Sequence, residues 1–231
     1  MNWTMKSYNM LKNSWLFLGL LVLVCCSPRE EHARVEKDSR VATLPYYQDA
    51  SFTPHWISQG SDSLKNFHQI PAFNMVNQEG DTITEKTFQD KIYVADFFFS
   101  ICPGICPKMT ANMEIVQEAF LEDDEVLLLS HSVMPEYDSV EVLQEYALNK
   151  GVNSAKWHLG TGDRQEIYNL GRYHYFVEED LGLLKDPEEF LHTESFVLVD
   201  KNRRIRGIYN GLNKGSVNQL IADIKTLKAE S

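Results

Sequence analysis

The stretch from Tyr93 to Met109 (Tyr-Val-Ala-Asp-Phe-Phe-Phe-Ser-Ile-Cys-Pro-Gly-Ile-Cys-Pro-Lys-Met) constrains the fold of this chain more than any other. Its first half is an apolar, aromatic and β-branched run of the kind that forms a strand buried on both faces of a mostly parallel sheet. The run stops at Ser100, and Pro103, Gly104 and Pro107 punctuate the residues after it. Met109, Met113, Val116 and Phe120 then recur at helical spacing, the stripe of an amphipathic helix. Proline is tolerated in the first turn of a helix and costly further in, so Pro107 is expected to open this one, with Cys106 as its cap and Cys102 in the loop before it. Both sulfurs then lie beyond the C-terminal end of a central strand, where open α/β sheets place their ligand sites.

A helix N-terminus carries partial positive charge and unpaired N–H groups, so it favours thiolate over thiol. Two such sulfurs close a disulfide or grip one soft cation. A purely structural pair does not account for two prolines and a glycine holding cysteines at a strand-to-helix turn. Met109 and Met113 have the spacing of core residues and are read as packing rather than as thioether ligands.

Cys102-Pro-Gly-Ile-Cys106-Pro after a hydrophobic strand resembles the Sco/SenC family, whose signature is Cys-Pro-x-x-Cys-Pro. The resemblance runs from about Leu44 to the C-terminus and includes Ser132-Val-Met-Pro-Glu-Tyr-Asp138 and His192-Thr-Glu-Ser-Phe-Val-Leu-Val-Asp200. Three residues between the cysteines separate the motif from thioredoxins, which have two. The resemblance implies a thioredoxin-like α/β fold, with a central mixed sheet flanked by helices and an N-terminal β-hairpin. It also implies copper, as Cu(I) or Cu(II), held by the two cysteines and one distant histidine, and delivery to the copper-A subunit of cytochrome oxidase. One departure stands out: Leu191 occupies the place where the family often has an aspartate.

Of seven histidines, two compete for the third ligand position. His131 ends the strand expected next to the cysteine strand, so on physical grounds it is a rival. His192 precedes a hairpin strand, where thioredoxin folds bring a loop against the cysteines, and the family resemblance favours it. The other five are read as ordinary polar groups. Two thiolates and an imidazole suit soft Cu(I) and also hold Cu(II), whereas zinc in a closed structural site takes a fourth ligand.

Before the domain come Lys6, Lys12 and an apolar run from Leu16 to Val24, with no acidic residue. That core is short for a membrane span and reads as a signal-peptide segment. It ends at Cys25-Cys26-Ser27, which resembles a lipoprotein processing site with Cys26 as the lipidated residue; an uncleaved anchor helix is the rival. Residues 1–26 are thus expected to be the signal peptide and 27–43 a flexible charged linker. By the same resemblance, residues 44–231 are expected to form a thioredoxin-like Sco/SenC domain. The chain is expected to be exported and membrane-anchored, facing the periplasm or cell exterior, where a thiol pair can be oxidised. Losing Lys6 and Lys12 with the leader takes the formal charge from −11 to −13, which argues against nucleic acid as a partner.

Two functions are open to the same sulfurs. One is a copper chaperone; the other is a thiol–disulfide reductase acting on a partner's cysteines. A peroxidase is weaker, because Phe99-Ser-Ile-Cys102 lacks the Thr-x-x-Cys arrangement that activates a peroxidatic thiolate.

Overall fold

The computed structural model describes residues 38–178, 191 and 193–230. A short antiparallel hairpin comes first, β1 (Asn74–Val76) and β2 (Thr82–Thr84). Its turn is closed by Gly80 in the left-handed region, φ +82°, which costs glycine little. The main sheet comprises β3 (Ile92–Phe98), β4 (Val126–Ser132), β5 (Trp157–Gly160), β6 (Ser195–Val199) and β7 (Ile205–Asn210). Their order is β5-β4-β3-β6-β7, with β3, β4 and β5 parallel and β6 antiparallel to both β3 and β7. The helices are α1 (Cys106–Ala119), α2 (Val140–Lys150), α3 (Arg164–Asn169) and α4 (Lys214–Ala229). This is the thioredoxin-like mixed sheet, with the expected hairpin ahead of the first central strand.

All seven residues of β3 are buried, as its composition requires. Side chains alternate across a strand, so Ile92, Val94 and Phe98 face one core and Tyr93, Ala95 and Phe97 the other. The first core takes α1, the apolar sides of α2 and α4, and both cysteines. The second takes the hairpin (Met75, Ile83), α3 (Ile167, Tyr168) and Tyr175. Met109 and Met113 are buried in the first core, as packing residues should be.

Three elements differ from the sequence expectation. Ile105 is itself in the right-handed helical region (φ −80°, ψ −30°), so α1 starts at Cys106, one residue early, and Pro107 is still inside the first turn. β4 runs on to Ser132, which places His131 inside the strand rather than at its end. The helix expected over Arg164 to Arg172 ends at Asn169 and widens into a π-helical turn, Leu170–His174. Gly171, inside that turn, is tightly packed: a Cβ there would come within 2.6 Å of Leu191 Cδ1 and 3.0 Å of Phe97 Cε1.

The stretches at 44–47 and 53–56 lie along the domain, bridged between Tyr46 and His55 and, through Tyr47, to Ile205 of β7, while Phe52 turns with φ +50°. Among the described residues no helix is long and apolar enough to cross a membrane.

Candidate metal centre

β3 ends at Phe98, and a tight turn closed by the Cys102 N–H on the Phe99 carbonyl (3.3 Å) carries the chain over to α1. The Ile105 side chain caps nothing, which leaves the first N–H groups of the helix without a side-chain oxygen. Cys102 Sγ stands in for that oxygen: backbone N–H groups of Gly104, Ile105 and Cys106 point at it, and so does the Cys106 thiol. Both cysteines are buried and unbridged, 9 % and 5 % exposed.

The two thiols are not equivalent, contrary to the expectation that the helix end stabilises both. Burial raises the Cys102 thiol, but the hydrogen bonds from Cys106 and the three backbone donors outweigh it and hold the group below its usual value. Burial pushes the Cys106 thiol up to about 12, helped by its hydrogen bond to Cys102 and by the negative charges of Cys102 and Asp96. Of the two thiols, Cys102 is therefore the one that loses its proton more readily and Cys106 the one that keeps it.

His131 does not belong to this site. It alternates with Leu127 and Leu129 on the side of β4 that faces the second core, across the sheet from the cysteines. Its ring stacks on Phe97 (4.5 Å between centroids) and meets Tyr175 and Phe73 edge-on. Nδ1–H donates to the Asp96 carbonyl (3.0 Å), and Nε2 has no partner. Burial pulls the group down to about 4, so the ring is neutral.

His192 lies outside the described residues, as does Cys26. The neighbours of His192 are described. Leu191 is buried among the second-core residues, which suits a leucine and disfavours an aspartate there; Thr193 Oγ1 accepts from Ser195 N–H. His158 packs edge-on against Phe88, and His68 and His174 stack on each other. Among the described residues no three His, Cys, Asp or Glu side chains gather to hold an ion.

Sequence reasoning missed two carboxylates near the sulfurs. Asp96 alternates onto the cysteine face of β3, is fully buried, and accepts a hydrogen bond from the Ser130 hydroxyl, which accepts in turn from Trp157 Nε1–H (2.8 Å). Burial lifts it to about 7, against the pull of the Ser130 bond. The signal was present, since an aspartate inside a wholly apolar strand is out of place unless partnered. Asp138, equally buried, sits in the loop after β4 and binds Ser100 and Ser132.

Two cavities lie at the opposite end of the sheet and do not border the sulfurs. One of about 300 Å³ is lined by Tyr46, Trp56 and Arg206, the other, of about 200 Å³, by Leu64, Asp200 and Arg204. The thiol pair at the start of α1 stands apart from both, and its chemistry suits a soft ion or a partner's cysteine.

The fold and the pair define a thioredoxin-like protein with a Cys-x3-Cys centre. The chain belongs to the SCO1/SenC family, whose pattern it matches over residues 61–229. It is 29 % identical over 163 residues to the SCO1 protein homolog of Bacillus subtilis, covering 69 % of this chain and 82 % of that one. A SCO1/SenC family lipoprotein of Bacillus anthracis superposes with a TM-score of 0.61 at 30 % identity, over 70 % of this chain and 95 % of that one. The copper-bound ScoI of Arabidopsis thaliana shares the fold, with a TM-score of 0.53 at 23 % identity over 69 % and 98 % of the two chains.

Proposed function

We propose that this protein binds copper through Cys102 and Cys106, with His192 as third ligand, and delivers it to the copper-A site of a cytochrome oxidase subunit. The observation that carries the reading is the unequal thiol pair at the start of α1, in a chain of the SCO1/SenC family. Soft thiolates suit Cu(I), and an imidazole added to them also accommodates Cu(II). Cys102 offers a sulfur already favoured as thiolate, while Cys106 must give up its proton when the cation arrives. Each ion bound therefore releases at least one proton. Copper here is cargo, so a site that binds by exchanging a proton for a cation also lets the cargo go.

The same reading makes residues 44–231 the working domain, held at the outer face of a membrane through a lipid on Cys26. Its support is the apolar run ending at Cys25-Cys26, together with the relative described as a lipoprotein.

The test is an anaerobic Cu(I) titration of the purified protein against a competing chelator. One Cu(I) per chain is expected, with tight binding lost in Cys102→Ser and in Cys106→Ser. His192→Ala weakens binding and removes imidazole character from the Cu(II) spectrum, while His131→Ala leaves both unchanged. Binding that survives either cysteine change refutes the site.

A second reading, a thiol–disulfide reductase, is favoured by the same inequality. A low-lying outer thiol beside a protonated inner one is the arrangement that attacks a disulfide and then resolves the mixed intermediate. Copper binding intact in both histidine variants, with disulfide reduction lost in the cysteine variants, selects it.

A further inference from the structure

We infer that Asp138 is a positioning residue for Cys102, acting through Ser100. Asp138 lies just before Ser139, the cap of α2, and is 0 % exposed. Its carboxylate is bound entirely by the exits of two neighbouring strands. From the β3 side, Ser100 donates its hydroxyl to Oδ1 (2.5 Å) and shares its N–H, at longer range, between Oδ1 (3.4 Å) and Oδ2 (3.3 Å). From the β4 side, the Ser132 hydroxyl donates to Oδ2 (2.5 Å). Ser132 Oγ also accepts from Met134 N–H (3.1 Å), and the N–H groups of Tyr137 and Asp138 both return to the Met134 carbonyl (2.9 Å each), so the loop holding the carboxylate is itself tightly wound.

A buried carboxylate with no cation beside it is costly unless its oxygens are satisfied by hydrogen bonds. Here three donors satisfy it, two of them from one residue. Ser100 is the second residue of the Phe99–Cys102 turn, and both of its backbone and side-chain donors end on the same group. The turn therefore cannot rotate about Ser100 without breaking both. Cys106 needs no such hold, because its position is fixed by α1. The distance between the sulfurs is thus set by two anchors: the helix for Cys106, and the Ser100–Asp138 clamp for Cys102.

The equilibrium of the thiol pair with glutathione reads this directly and without metal. The protein dithiol and oxidised glutathione give the protein disulfide and two reduced glutathiones. One S–S bond forms in the protein as one breaks in glutathione, and two electrons and two protons pass to the glutathione. Releasing the clamp lowers the effective concentration of one thiol at the other, so the constant for disulfide formation falls. In the full chain, Asp138→Asn is expected to lower it by about tenfold, and Ser100→Ala by less, since the N–H remains. Ser100→Thr, which keeps both donors, restores it. Ser132→Ala, which takes a donor from the same carboxylate on the side away from the cysteines, lowers the urea midpoint of unfolding but moves the constant less than Ser100→Ala does.

Variants that lose urea resistance with the glutathione constant unchanged overturn the inference and leave Asp138 a stabilising residue only. So does a Ser132→Ala shift as large as that of Ser100→Ala. Because the readout is metal-free, it stands or falls separately from the copper reading, which the Cu(I) titration decides.

Discussion

Two buried titratable groups oppose each other across the centre of the sheet, and separating them makes a quantitative test. His131 sits among Phe73, Phe97 and Tyr175 with its Nδ1–H on the Asp96 carbonyl; the Asp96 side chain points to the other face, held by Ser130 and in the field of Cys106 and Tyr146. Burial pulls the histidine from 6.5 to about 4 and lifts the aspartate from 3.8 to about 7. At pH 5.5 the folded state holds both groups neutral, whereas the unfolded chain holds both charged. Folding thus releases one proton at His131 and takes one up at Asp96.

The signs come from proton linkage. The His131 contribution is fully present above pH 6.5 and is lost as pH falls through about 4. The Asp96 contribution is fully present below pH 3.8 and is lost as pH rises through about 7. At about 1.4 kcal/mol per unit, the shifts amount to about 3 and about 4 kcal/mol respectively. Their slopes cancel between pH 4 and 6.5, so this pair leaves the wild-type stability flat there. Each single variant unmasks the other group. Urea unfolding of the reduced, metal-free protein at pH 4.5 and 6.5 reads it, with every variant taken relative to wild type. Asp96→Asn, whose amide oxygen still accepts from Ser130, should gain about 2–3 kcal/mol on going up in pH. His131→Phe should gain about as much on going down. Difference curves that are flat, or that slope the same way, refute the account of the buried pair.

Other outcomes are expected. Gly171→Ala puts a methyl 2.6 Å from Leu191 Cδ1; overpacking of this kind costs about 1–3 kcal/mol, and because Leu191 adjoins His192 the variant should also weaken Cu(I) binding in a chelator titration. Arg206→Met leaves the Asp200 and Glu230 carboxylates, each 8 % exposed, without their cation. Urea unfolding should show a loss of about 3–5 kcal/mol, with one Cu(I) still bound per chain. Cys26→Ser should abolish acyl-chain labelling in cells and leave the copper site intact; labelling that persists there but vanishes in Cys25→Ser moves the anchor by one residue.

The cysteine turn was legible in the sequence because its signals are local. An apolar run, two prolines, a glycine and a helical stripe need no knowledge of what packs where. The side of the sheet on which a residue falls was not legible. β4 reads Val-Leu-Leu-Leu-Ser-His-Ser and is buried throughout, so no alternation of polar and apolar residues marks its faces. Only pairing with β3, Phe97 opposite His131, puts that imidazole across the sheet from the sulfurs. The inequality of the thiols was hidden for a similar reason. Helix position alone treats Cys102 and Cys106 alike; the difference lies in depth and in which sulfur receives the backbone donors. The start of α1 shifted by one residue because Ile105 joins the helical conformation, which no side-chain signal announces.

The topology also fixes which way the site faces relative to the incoming chain. Leu44 N–H donates to Glu230 beyond the end of α4 (2.6 Å), and Arg206 near the start of β7 donates to the Leu44 and Pro45 carbonyls (2.7 and 3.0 Å). Ile205 pairs with Val199, which pairs with Tyr93, so this anchorage lies at the N-terminal edge of β3. The sulfurs lie past its C-terminal edge, seven residues or about 20 Å along the strand. The clamped entry at Leu44 and Pro45 means that any pull transmitted from the preceding residues is taken up by Arg206 and Glu230 rather than by the cysteine turn. If the chain is tethered through the lipid on Cys26 proposed above, the domain would be held by the edge of the sheet opposite the thiols, with the cysteine turn at the far end from Leu44.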